Sequence, residues 1–142
     1  MGAGRSVFWD DLASDLEDPE FLRQYVAESI RIATIDRIVN ELDTAREAAG
    51  LTKAGLAHAI SSEPATVRRL FSSDHANPTL GTLAELAAAL GMRVVLEPLD
   101  ASDREQITRP LLEGSTDDPR ALTARVDELR SERADPHAAS RP

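Results

Sequence analysis

Cysteine is absent from the 142 residues, which excludes disulfides, thiolate metal sites and cysteine nucleophiles. Aromatic residues are scarce, at 4%. Phe8 and Trp9 are therefore read as anchors of an N-terminal arm rather than as a stacking platform. No apolar run approaches the roughly 20 residues of a membrane span, and the N-terminus lacks a signal-peptide core. The expectation is a soluble cytoplasmic protein that makes no membrane contact. Residues Met1-Gly2-Ala3-Gly4-Arg5-Ser6 do meet a loose myristoylation pattern, but so short a pattern recurs by chance. There is no Gly-rich phosphate loop and no Ser/His/Asp or paired-carboxylate constellation, so no enzymatic activity is expected. His58, His75 and His137 are scattered and form no ligand set. The acids from Asp10 to Glu20 alternate with Leu12 and Leu16 as a solvated helix face does. Neither a metal nor a cofactor is expected.

What is present is helical in character. Hydrophobic residues make up 42% of the chain, Ala and Leu dominate them, and both favour helix. The length allows one ordinary core with residues left over for arms or tails. The net charge of −9 opposes simple attraction to nucleic acid, which needs cations to displace phosphate counterions. Its distribution matters more than its total. Residues 1–30 carry seven acids against Arg5 and Arg23, and residues 97–142 carry eleven acids against seven arginines. Residues 31–96 balance seven cations with seven acids. A neutral middle with clustered arginines leaves room for a local basic face.

Punctuation residues divide the chain. Asp18-Pro19 reads as an N-cap followed by proline at the first helical position. Phe21, Leu22, Tyr25, Val26, Ser29 and Ile30 then follow helical spacing, and Ile35, Ile38, Val39, Leu42 and Ala45 continue it to a stop at Gly50. Two helices, breaking near Ala33-Thr34, are expected over residues 19–49. Thr52 caps a helix over 53–60, and Glu63-Pro64 opens another to about Phe71. Asn77-Pro78 marks a turn, Thr79 caps a helix through Leu80, Leu83, Leu86, Ala87 and Leu90, and Gly91 ends it. Met92 to Leu99 is a short β-prone run closed by Pro98. From Asp100 the chain is polar. One thin amphipathic helix through Leu122, Val126 and Leu129 is expected there, in a mobile tail that packs only against a partner or a second subunit.

The segment 51–71 carries the chemistry. Two short helices joined by about three residues cross steeply, so that the second protrudes. Its far side can then enter the major groove of DNA, which is wide enough to admit a helix. Leu56, Ala57, Ile60, Val67 and Leu70 supply the apolar contact between the helices. Pro64, Ala65, Arg68 and Arg69 then point outward, with Thr66 at one flank.

The run Leu51-Thr52 … Leu56-Ala57 … Val67-Arg68-Arg69-Leu70-Phe71 resembles the Cro/CI-like (XRE) helix-turn-helix family. So do Asn77-Pro78-Thr79-Leu80 and the stretch from Leu83 to Gly91, and the resemblance spans about Ile35 to Leu96. The terminal Leu-Gly with a hydrophobic run after it, and the acidic Asp18-Pro19-Glu20-Phe21-Leu22 segment, look most like HigA-type antitoxins. The resemblance implies base contacts from Pro64, Ala65, Arg68 and Arg69. It implies backbone contacts from Arg46, Thr52, Lys53, Thr66, Ser72, His75 and Asn77, and dimerisation through Val94, Val95 and Leu96. Four positions depart from the family pattern. Lys53 replaces a usual Gln and still suits a phosphate, and Ser61 replaces a turn Gly. Pro64 and Ala65 replace Gln or Ser, so they can meet a thymine methyl but cannot bond adenine bidentately. Base reading then falls on Arg69 and Arg68, since Arg bidentate to guanine is the commonest specific contact.

The expectation is an all-α, lambda-repressor-like bundle of about five helices with a short dimerising C-terminal strand and a mobile tail. It divides into an acidic helical arm over 1–34, a DNA-binding domain over 35–99 and a tail over 100–142. The expected function is a repressor that binds a palindromic operator as a homodimer and serves as the antitoxin to a small basic RNase toxin. A toxin that acts on RNA is itself basic, and an acidic partner suits it. A stand-alone regulator without a toxin, and an interaction module that has lost DNA binding, are the alternatives.

Overall fold

The computed structural model describes residues 2–72 and 76–132, with side chains from Phe8 onward. Helices α1 (Gly2–Asp15), α2 (Pro19–Ala48), α3 (Lys53–Ala59), α4 (Pro64–Ser72) and α5 (Leu80–Ala89) come first. After an irregular segment come α6 (Ala101–Asp103), a π-helical turn over Arg104–Thr108, α7 (Arg109–Glu113) and α8 (Pro119–Glu132). The described residues are all-α, as the composition implies.

Local signals set most helix ends. The Asp18 carboxylate accepts the Glu20 N–H at 3.0 Å. Thr52 accepts from Gly55 N–H at 2.9 Å and Thr79 from Thr82 N–H at 3.1 Å, so the first orphan donors of α3 and α5 are satisfied by side chains. The helix break near Ala33-Thr34 is absent. Helix α2 runs unbroken for 30 residues, about 45 Å at the helical rise of ~1.5 Å per residue. A sharp kink needs a proline, a glycine pair or a bulge, and α2 holds no glycine and no proline after Pro19. Thr34 lowers helix propensity by only a few tenths of a kcal/mol.

The described chain forms two compact units, one from the residues up to Arg31 with Pro98–Ser131, the other from Ile32–Glu97. The first has a core of Leu16, Leu22, Val26, Ile107, Leu122 and Val126. Buried Ser29 accepts from Arg130 Nη2 at 3.0 Å. The Arg120 guanidinium lies 4.6 Å above the Trp9 ring, tying α1 to α8, while Phe8 is exposed. Arg125 grips the Asp103 carboxylate with two nitrogens, at 2.6 and 3.0 Å. The second unit has a core of Val39, Leu42, Leu56, Ala57, Val67, Leu70, Leu83, Leu86 and Ala87. Helix α2 supplies residues to both cores.

Two features of the expected fold are corrected. The helix after Asp100 does not wait in a mobile tail for a second protein, because Leu122 and Val126 of α8 are buried with Leu16, Leu22 and Val26. The thin apolar face of α8 and the stripe of α1 and α2 each lacked an occupant within their own stretch of sequence, and each supplies the other's. The expected strand over Met92–Leu99 does not form, and no β-strand occurs among the described residues. A strand exists only when another strand takes up its backbone groups, and one chain offers none here. Val94, Val95 and Leu96 are exposed, Leu96 at 99%.

Candidate nucleic-acid interface

The end of α3 determines where α4 points. Ser62 N–H reaches the Ala57 carbonyl at 2.9 Å and Ser61 N–H reaches that of His58 at 3.1 Å. This is the Schellman arrangement, which requires a left-handed residue at the first position past the helix. Ser61 holds it at φ 55°, the one positive φ at a non-glycine residue among those described. The same pair of bonds ends α2 at Gly50 and α5 at Gly91, whose φ values are 70° and 73°. Helices α2, α3 and α5 thus stop by one device, with glycine used twice and serine once.

Beyond the turn, α4 buries Val67 and Leu70 against Leu56 and Ala57, both fully buried on α3. That fixes which face is left over. Ala65, Thr66, Arg68 and Arg69 are exposed and Pro64 is half-buried. Among the described residues neither Arg68 nor Arg69 has an ion-pair partner. A short helix braced on its apolar side, presenting two exposed arginines on the other, has the form of a recognition helix. Residues 42–95 match the helix-turn-helix family model.

This helix-turn-helix match supports a DNA-binding regulator of the XRE type. Neither the search of curated proteins nor that of solved structures returned a match.

Around the helix-turn-helix the other site residues take different positions. Thr52 is exposed with its oxygen accepting from Gly55 N–H, which leaves its own hydroxyl proton available to an acceptor in solution. Lys53 is half-buried at the start of α3, and Asn77 is exposed just before α5. Ser72 is exposed, but its hydroxyl donates to the Arg68 carbonyl at 2.6 Å, so its proton is already committed. His75 lies outside the described residues. Arg46 is turned inward, with its side chain 12% exposed, and its guanidinium lies 6.0 Å from the centre of the Phe71 ring. The sequence reading missed that contact, since nothing local links the end of α2 to the end of α4. No group of three or more potential metal ligands gathers among the described residues, and no described helix is long and apolar enough to cross a membrane.

Proposed function

We propose that this protein is a transcriptional repressor that binds a palindromic operator as a homodimer, with α4 of each copy in the major groove. The observation that carries this reading is the exposed face of α4, where Arg68 and Arg69 lie open to solvent while Val67 and Leu70 are buried. Arg69, with Arg68 beside it, reads guanine, and Pro64 and Ala65 contact thymine methyl groups. Thr52, Lys53, Thr66 and Asn77 hold the phosphates. The exposed apolar residues Val94, Val95 and Leu96 are the surface through which two copies meet. A two-fold dimer sets its half-sites about one helical turn, roughly 34 Å, apart. Selection of bound duplexes from a random pool tests the reading: it requires an inverted repeat with guanine in each half-site. Recovery of unrelated sequences would refute it and favour an interaction module without operator recognition.

A second reading adds a toxin. The unit built from residues 1–31 and 98–131 carries fifteen acids against eight arginines, a field that attracts a basic protein. On this reading the chain is a HigA-like antitoxin that represses its own operon and neutralises a basic RNase. Co-purification with the products of its neighbouring genes tests it. A small basic protein in stoichiometric amount supports the antitoxin, and homodimer alone leaves the stand-alone regulator.

A further inference from the structure

Arg46 stands on the last turn of α2, and each of its three side-chain nitrogens faces an acceptor. Nε donates to Asp43 Oδ1 at 2.9 Å, and Nη2 lies 2.9 Å from the same oxygen and 3.5 Å from Glu47 Oε1. Nη1 donates to the Leu51 carbonyl at 2.7 Å. The main-chain carbonyl of Arg46 accepts the Leu51 N–H at 3.2 Å, so Leu51 is held at both of its backbone groups. The guanidinium carbon lies over the Phe71 ring, 6.0 Å from its centre. Leu51 immediately precedes Thr52, the cap of α3, and Phe71 lies in the last turn of α4. One side chain therefore joins the end of α2, the entry to α3 and the far end of α4.

We infer that Arg46 is a positioning residue that sets the pose of α4 in the groove through Leu51 and Phe71, without touching DNA. This rests on the reading of α4 as the recognition helix. Arginine suits the position because a planar fork can pair with a carboxylate, bond a carbonyl and stack on a ring at once. A lysine ammonium is a single point charge and cannot hold all three in one geometry. With most of its surface covered and its nitrogens occupied, the side chain has little left to offer a phosphate. Its contribution to DNA binding is then geometric and concerns specific sites alone, since random DNA is held by charge rather than by fit.

The test uses the full chain, the selected operator duplex and a random duplex of equal length. Arg46→Met is expected to lower operator affinity on the order of tenfold, the size of one lost base contact. Affinity for random DNA and the slope of log affinity against log salt stay at wild-type values. Arg46→Lys does not restore the operator affinity, and Phe71→Leu reproduces part of the loss although it removes no charge. Equal losses on both duplexes, with the salt slope reduced by about one, would make Arg46 a phosphate contact and overturn the inference. Full rescue by lysine would overturn it too. Should Arg46→Met fail to fold, as circular dichroism would reveal, the lysine and Phe71→Leu variants decide. Failure of the wild-type chain to prefer any duplex removes the recognition-helix reading itself, and is seen before any variant is made.

Discussion

Arg23 donates from Nε to the carbonyl of Leu111 at 3.1 Å, across 88 positions of sequence, and from Nη2 to that of Leu112, also at 3.1 Å. These carbonyls belong to the last turn of α7, which has no further helix to satisfy them. The next residue, Gly114, is buried at φ 75° and closes the turn by donating to the Pro110 carbonyl at 2.7 Å. A methyl group there would lie 2.9 Å from Pro19 Cβ and 3.0 Å from Arg23 Cζ. The position excludes a side chain by conformation and by space together.

Gly114→Ala is expected to destabilise the fold by more than about 2 kcal/mol, the sum of left-handed strain and overpacking. Urea denaturation followed by circular dichroism measures it. An unchanged midpoint would mean that α7 does not seat against the start of α2 in solution.

At Ser61 the opposite change is expected. Ser61→Gly keeps the Schellman bonds and removes the strain of φ 55°, at the cost of a more flexible unfolded chain. The net gain is roughly 0.5–1 kcal/mol, visible as a higher thermal midpoint. Ser61→Val should shift the midpoint the other way, because a β-branched side chain tolerates this region poorly. If both substitutions lower stability, the serine hydroxyl has a partner of its own.

Arg69→Ala and Lys53→Ala separate reading from holding. The first is expected to cost roughly 1–3 kcal/mol on the operator and to relax base preference at one position per half-site. The second weakens operator and random DNA alike and reduces the salt slope by about one. Fluorescence anisotropy over a salt series distinguishes them, and identical behaviour of the two variants would contradict the division.

Val95→Asp and Leu96→Asp bear on dimerisation. Each sets a charge on an exposed apolar surface that contributes nothing to the core of its own chain. The expected result is a folded monomer by sedimentation, with operator affinity reduced because only one half-site is held at a time. A dimer of undiminished stability would place the interface elsewhere.

What could be read from the sequence was what depends on near neighbours. Asp18, Thr52 and Thr79 cap as expected, and Gly50 and Gly91 end helices, because a cap or a left-handed stop involves residues at most a few positions apart. The exposed face of α4 was legible for the same reason, since Val67 and Leu70 define its buried side by helical spacing. The long-range pairings were not. Leu122 and Val126 gave no sign that Leu16, Leu22 and Val26 would cover them, and Arg46 gave none that it would rest on Phe71. The strand expected over Val94, Val95 and Leu96 rested on β propensity and on the family resemblance and was to pair across a dimer, and no β-strand is seen among the described residues of one chain.

Helix α2 and the two-part unit impose an order on biosynthesis. Ile32–Glu97 is contiguous, so its core can close as soon as α5 has left the ribosome. Leu16, Leu22 and Val26 emerge earlier but must stay uncovered until Ile107, Leu122 and Val126 have been made. The segment made first is therefore among the last to be sheltered, and proteases or chaperones meet it throughout that interval. A nascent chain with only the residues up to Pro98 outside the ribosome would present a finished helix-turn-helix carrying an open apolar stripe on the first half of α2.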